Sequence, residues 1–294
     1  MNRVSTRYQY TNSLNQIRSG QAKLFAAQQE VTTGKRGDIA TKDPLGTAFI
    51  IRSSALKSAT EQYDKNLRTA DDYLKNSEAA LDEVTKVLQS ARSLAIQGAS
   101  DAVDQTARNS MAAQVTNLQN RLLELSNTRG NSGQYLFAGQ DNGTTPFSAV
   151  AGTMSYGGDT NQVRIEASRT ETMVVNSSMG TTFTSMYSAL ENLKNDLLSG
   201  NIALLSGQDL TNLSQSMDAV RLERGVIGTK LQSVQELSTQ NQRRIEDLTE
   251  RIADVEEVDM AEAITQYKLA ETAYQAALQS TAMSSRLSLL DFIQ

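Results

Sequence analysis

Apolar positions in this chain recur mostly at alternating steps of three and four, the spacing that lines one face of a helix. The longest stripe is Leu56, Thr60, Tyr63, Leu67, Ala70, Leu74, Ser77, Leu81, Val84, Leu88, Ala91 and Ala95. Seven-residue periodicity held over that length predicts a coiled-coil seam. Asp43 suits the N-cap of this helix, and Pro44 suits its first position, where a missing N–H costs nothing. Gly98 and Ser100-Asp101 mark its end. Residues 44–97 would then span roughly 80 Å at about 1.5 Å per residue. A second helix carries Met111, Val115, Leu118, Leu122 and Leu125.

The two ends of the chain carry weaker stripes. Leu14, Ile17, Gln21, Leu24, Gln28 and Val31 predict a first helix, stopped by Gly34 and Gly37. Diluted by glutamine, that helix is marginal alone and needs a partner. Near the other end, helix is expected from about Ser185, with a pause at Gly200 and a restart around Gln208. Leu231, Val234, Ser238, Asn241, Ile245, Leu248, Ile252 and Val255 form one stripe, continuing through Met260, Ile264, Tyr267, Glu271, Tyr274, Leu278 and Thr281. Alanines dominate this last part and permit close helix approach. The chain closes on Leu287, Leu289, Leu290, Phe292 and Ile293, an apolar end that predicts burial against a partner.

Between these parts the pattern changes. Residues 130–182 hold 8 of the 17 glycines, one of the two prolines and no helical stripe. Residues 153–156, 162–167 and 172–176 alternate like strands, with turn formers at Asn142-Gly143 and Gly157-Gly158-Asp159. Too few apolar residues are present for an independent core, so this insertion is expected to pack on the helices. The fold class is therefore mainly α: a long antiparallel helical coiled-coil bundle from the N- and C-terminal parts, with a small β-rich central insertion. The expected domains are a terminal helical assembly domain (1–40 and 258–294), a long-helix rod domain (41–138 and 183–257) and a small β-rich domain (139–182).

Composition narrows the chemistry. The 294 residues include no cysteine, histidine or tryptophan. Disulfides, thiolate chemistry and Cys/His zinc sites are excluded, and the usual proton-transfer side chain near neutral pH is missing. No phosphate-binding glycine loop or nucleophile motif occurs. Gly157-Gly158-Asp159 lacks the alternating acids of a calcium loop, and Glu256-Glu257-Val258-Asp259 suits a solvated helix face better than a metal site. Arg243, Arg244 and Arg251 are expected to pair with Glu246 and Glu250. We expect no catalytic residue, no cofactor and no enzyme activity. A net charge of −5 argues against nucleic acid as a partner. No apolar run suits membrane insertion, and Met1 to Arg7 lead into polar residues without the apolar stretch of a cleaved signal.

The 56–95 seam is expected to close within the chain, because most helix seams do. The terminal seams are expected to close between subunits. Their assembly residues would be Val4, Leu14, Ile17, Leu24, Val31, Ile264, Tyr267, Tyr274, Leu278, Leu287, Leu289, Leu290, Phe292 and Ile293.

Several motifs resemble the flagellin family. Arg3-Val4-Ser5-Thr6 resembles its opening, residues 29–36 with Lys42-Asp43-Pro44 resemble the turn after its first helix, and residues 93–97 resemble the end of its long core helix. Residues 133–139 with Pro146-Phe147, and the last eight residues, resemble its hook-associated branch. The resemblance implies an extracellular structural subunit of the bacterial flagellum. Such a subunit leaves the cell through the type III export channel without a cleaved signal, escorted beforehand by a chaperone. Copies of it would form a ring between hook-associated protein 1 and the flagellin filament, with the terminal helices in the inner tube and the β-rich insertion outermost. Flagellin itself is the rival within the family. An intracellular coiled-coil scaffold is the rival outside it.

Overall fold

A computed structural model describes the backbone of residues 2–37, 39–141 and 143–293, and the side chains of residues 8, 11–37, 39–141 and 143–283. The elements are α1 (Asn2–Thr33), α2 (Ile39–Lys42), α3 (Pro44–Gly98), α4 (Gln105–Ser126), β1 (Phe147–Val150), β2 (Thr153–Tyr156), β3 (Arg164–Glu166), β4 (Thr172–Val174), α5 (Gly180–Ser199), α6 (Ile202–Ser206), α7 (Gln208–Glu256) and α8 (Met260–Ile293). The fold is mainly α with a small β insertion. The predicted stops hold: α1 ends before Gly34, which adopts φ +68°, and Gly200 ends α5 in the left-handed conformation. The predicted start of α3 also holds, with Asp43 Oδ1 accepting from the Gly46 N–H at 2.8 Å.

The chain divides into two compact units, residues 59–244 and residues 1–58 with 245–294. The hydrophobic core lies within the first. From Thr60 to Ala95 every member of the predicted stripe is buried except Tyr63, which is half-buried. Its polar members are satisfied: the Ser77 hydroxyl donates to the Tyr73 carbonyl at 2.9 Å. Between Thr60 and Leu67, buried Asp64 accepts from Ser238 of α7 at 2.8 Å and pairs with Arg68 at 2.8 Å. Arg224 of α7 pairs with Glu78 at 2.7 Å and Asp82 at 3.1 Å, so α7 runs antiparallel to α3. On α4, Gln119 donates to Glu191 of α5 at 2.8 Å and Gln105 donates to the Leu197 carbonyl at 3.0 Å, which sets α4 and α5 antiparallel too. Arg108 turns inward from α4 and donates to the Gly98 and Ser100 carbonyls, satisfying the exposed end of α3.

The insertion forms two antiparallel two-stranded sheets, β1 with β2 and β3 with β4. The tight β1–β2 turn places Ala151 and Gly152 at φ +50° and +81°, the geometry a two-residue hairpin requires. Each hairpin packs on helices, as expected. Asn127, just past α4, exchanges two hydrogen bonds with the Phe147 backbone, while Asn241 of α7 donates to the Ala167 carbonyl. The run from Tyr135 to Gly139 is buried throughout. Phe137 meets Phe183 edge-on with centroids 5.0 Å apart, and Phe147 meets Phe183 at 5.3 Å. The Tyr73 hydroxyl of α3 donates to the Leu136 carbonyl, and Tyr156 donates to the Asp159 carbonyl at 2.6 Å. A Cβ on Gly139, at φ +77°, would sit 2.3 Å from the Asp159 carbonyl oxygen.

Three details differ from the sequence reading. Strand β1 was not anticipated, because its four residues carry too little alternation. The C-terminal stripe does not run as one helix: the chain leaves helical geometry at residues 257–259. Arg251 pairs with Asp247 at 2.9 Å, one turn back on the same face, rather than with Glu246 or Glu250. Among the described residues no cluster of three acids, histidines or cysteines could hold a metal, and no helix is long and apolar enough to cross a membrane.

Replacing Phe137 by alanine removes a fully buried ring packed edge-on against Phe183, and unfolding in urea is expected to show a loss of about 3–5 kcal/mol. A second prediction concerns Asp209 in the first turn of α7. Burial, reinforced by the nearby Asp196 carboxylate, pushes its carboxyl up to about 7. One of its oxygens is buried without a hydrogen-bond partner. The folded state therefore binds this proton more tightly than the unfolded chain does. The contribution is fully present below the ordinary aspartate range and is lost as pH rises through about 7. Asp209→Asn should remove that slope, so its stability relative to the parent chain, read as the urea midpoint, should rise between pH 4 and pH 8.

Candidate assembly surface

The unit of residues 1–58 and 245–294 is built around two long helices that lack a deep core. The predicted α1 stripe placed Gln21 and Gln28 inward. Instead Ser13, Ile17, Gly20, Leu24, Ala27 and Val31 turn from solvent, with Gln21 and Gln28 exposed. On α8 the covered positions are Ala263, Tyr267, Ala270, Tyr274, Ala277 and Thr281. Both sets alternate by four and three, so each helix offers one straight narrow face. Gly20 faces Tyr274, and a Cβ there would lie 3.5 Å from the ring. Small residues let the helices approach closely, but they bury little area.

Where α1 ends and α8 begins, the chain is fastened by backbone. Lys35 and Glu257 form an antiparallel bridge. The Arg36 N–H donates to the Glu256 carbonyl at 2.9 Å and the Val258 N–H donates to the Gly34 carbonyl at 3.0 Å. Arg36 Nε donates to the Glu257 carbonyl at 3.1 Å, and Lys35 pairs with Glu256 at 3.0 Å. This fastening is the reason helix stops at residues 257–259: their backbone groups are used across the pair. Glu256 is thus an ion-pair partner of Lys35 at the end of α7.

Among the described residues, the only apolar side chains this unit buries are Ala27, Leu248 and Ala263. Large apolar side chains remain in water instead. Of the residues expected at an assembly interface, Leu14, Ile17, Leu24, Val31, Tyr267 and Tyr274 are half-buried, and Ile264 and Leu278 are exposed. Val4, Leu287, Leu289, Leu290, Phe292 and Ile293 lie outside the residues whose side chains are described. Sequence reasoning missed Phe25, 63% exposed, and Leu269, 65% exposed, because neither falls on a predicted stripe. It also missed Leu45, Phe49 and Ile51, exposed on the first turns of α3. Apolar residues standing off the seam of an otherwise polar helix are the signal that would have found them. Charge adds little specificity on α1 and α8: the Lys268–Glu271 pair at 3.0 Å lies on the surface of one helix. What remains is a surface suited to burying apolar helix faces against other helices.

Comparison with known proteins fits this arrangement. Residues 4–142 match the bacterial flagellin N-terminal helical region. Flagellar hook-associated protein 3 of Escherichia coli strain K12 is 26% identical over 313 residues, covering 98% of this chain and 98% of that protein. A flagellin of Salmonella typhimurium is 29% identical over 140 residues, but covers 46% of this chain and 28% of that protein. Among solved structures, flagellar hook associated protein-3 of Legionella pneumophila shares the fold with a TM-score of 0.63 at 14% identity, over 70% of this chain and 98% of that one.

The thin seam between α1 and α8 has a measurable consequence. In the isolated chain, amides of α1 and α8 should exchange with solvent at least 100-fold faster than those of residues 67–95, since they open without disturbing the core. Hydrogen exchange read by mass spectrometry checks this, and equal protection of both regions would refute it.

Proposed function

From the match to the bacterial flagellin N-terminal helical region and the full-length similarity to flagellar hook-associated protein 3, we propose that this chain is a structural subunit of the bacterial flagellum, placed where the hook-associated region meets the flagellin filament. The supporting observation is the unit of residues 1–58 and 245–294, whose apolar side chains stay in water because its own chain supplies so little to cover them. Full-length similarity to hook-associated protein 3 favours this reading over flagellin, whose match stops at about half the chain. The work of such a subunit is mechanical. Apolar area removed from water on assembly yields about 25 cal/mol per Å², set against the cost of ordering and docking, so many weak helix contacts sum to a durable joint.

The finer parts of the reading follow from the family. The neighbours are hook-associated protein 1 on one side and flagellin on the other, with copies of this chain in a ring between them. An export chaperone holds the subunit before it leaves the cell without a cleaved signal, and it acts outside the cell. No enzyme activity is part of this role. The domains proposed are the terminal helices, 1–40 and 258–294, as the inner assembly layer, the long helices, 41–138 and 183–257, as the shell, and 139–182 as the outer face.

Deleting residues 265–294 should abolish swimming and leave hooks without attached filaments, while the thermal transition of the core survives. Motile cells with attached filaments would refute the proposal. Purified parent chain that grows into long filaments unaided would favour flagellin instead.

A further inference from the structure

The first turns of α3 present a bare apolar face. Leu45 is 84% exposed, and Pro44, Ala48, Phe49, Ile51 and Ala55 are exposed beside it. At about 100° per residue these positions fall within one half of the helix circumference, interrupted by Arg52. The opposite side packs on its own chain, where a Cβ at Gly46 would stand 3.0 Å from a Val255 methyl carbon. An isolated apolar face of this kind is unusual on a soluble surface. Arg52 has no ion-pair partner among the described residues.

The same unit contains a complementary hollow. A groove of about 900 Å³ runs between α1, α2 and α8. Its lining includes Ala26, Ala27, Ala270 and Ala273, which leave room where larger side chains would close it, and it also carries charges of both signs, among them Lys23 and Arg36. Leu269 stands exposed in its lining. Glu262 of α8 also lines it, and its carboxylate has no ion-pair partner among the described residues.

We propose that the α3 face of one copy seats in the α1–α8 groove of a second copy, with Leu45 and Phe49 filling the alanine-lined space and Arg52 reaching Glu262. This rests on the reading of the chain as a flagellar subunit and names the partner of that surface. The occupant is a second copy because every copy carries both halves, apolar bulk against small residues and an unpaired cation against an unpaired carboxylate. Leu45 and Phe49 are not among the groove's lining residues, so the face adjoins the groove at Asp43 without being part of it. Their contact is head-to-tail and repeats from copy to copy, the geometry that generates a ring or a helical turn.

The chain has no cysteine, so introduced cysteines report without background. Two versions of the full chain, Leu45→Cys and Leu269→Cys, each with a different tag, are expressed together in flagellated cells lacking the native copy. Isolated flagella are then oxidised. A disulfide-linked dimer carrying both tags is expected, absent when either version is alone and from a control pairing of Leu45→Cys with Ser188→Cys. Swimming cells whose 45/269 mixture gives no more dimer than the control overturn the groove assignment and leave the flagellar role standing. A crosslink only to a protein of another mass overturns it too, by placing a different occupant there. Cells that stay filament-less even with the unsubstituted chain sink the flagellar reading, and this inference with it. Charge reversal provides an independent measurement. Arg52→Glu and Glu262→Arg should each lower filament attachment about three- to five-fold, and the double variant should restore it. A double variant no better than either single change refutes the pairing.

Discussion

The core of residues 59–244 depends on one seam of α3. From Thr60 to Ala95 its inward residues repeat every seven positions and are buried almost without exception. That repeat fixes which side of a long helix meets α4, α5 and α7, and it leaves the other side free for charge. Where the stripe turns polar, the polar groups are supplied with partners, as Asp64 is by Ser238 and Arg68. A buried carboxylate left alone would cost more than the neighbouring leucines contribute. The β insertion has no core of its own and is held by the same helices, through Tyr73, Asn127 and the Phe137–Phe183 contact.

Among its described residues the terminal unit buries no comparable run of large apolar side chains. Its two helices meet along narrow faces that mix glycine and alanine with half-buried Ile17, Leu24, Val31, Tyr267 and Tyr274, and side chains such as Phe25 and Leu269 are left exposed. In a protein that worked alone, exposed groups like these would be a liability. In one that works as part of a larger body, they are the means of joining it. On the flagellar role proposed above, the molecule separates a part that buries its own core from a part left with apolar groups to bury against neighbours.

Much of this was legible in the residues. The α3 stripe, its Asp-Pro start, the glycine stops and the restart at Gln208 follow from local rules that tertiary packing did not override. The central insertion was visible as a loss of helical period. Other features were hidden for identifiable reasons. Gln21 and Gln28 fit the α1 spacing, yet Gly20 and Ala27 face inward, because close approach rewards small residues over long polar ones. No local pattern marks Arg108, whose guanidinium donates to the carbonyls at the end of another helix. The break at residues 257–259 is caused by a strand-like bridge to residues more than two hundred positions earlier, which no local pattern records. The exposed face of α3 resembles ordinary helix sequence until the surrounding chain is seen to leave it bare.

That bridge also bears on the order in which the molecule forms. Arg36 and Glu257 are 221 residues apart, so fastening α1 to α8 directly would close a very long loop. The entropy cost of closure grows with the logarithm of loop length, and it falls once intervening segments are already tied together. Pairing α3 with α7 provides that shortcut, since both helices run on toward the bridge. By this loop-closure argument α1 and α8 are fastened at least entropic cost once the centre is in place, so the bridge at Lys35 and Glu257 draws on order built elsewhere in the chain.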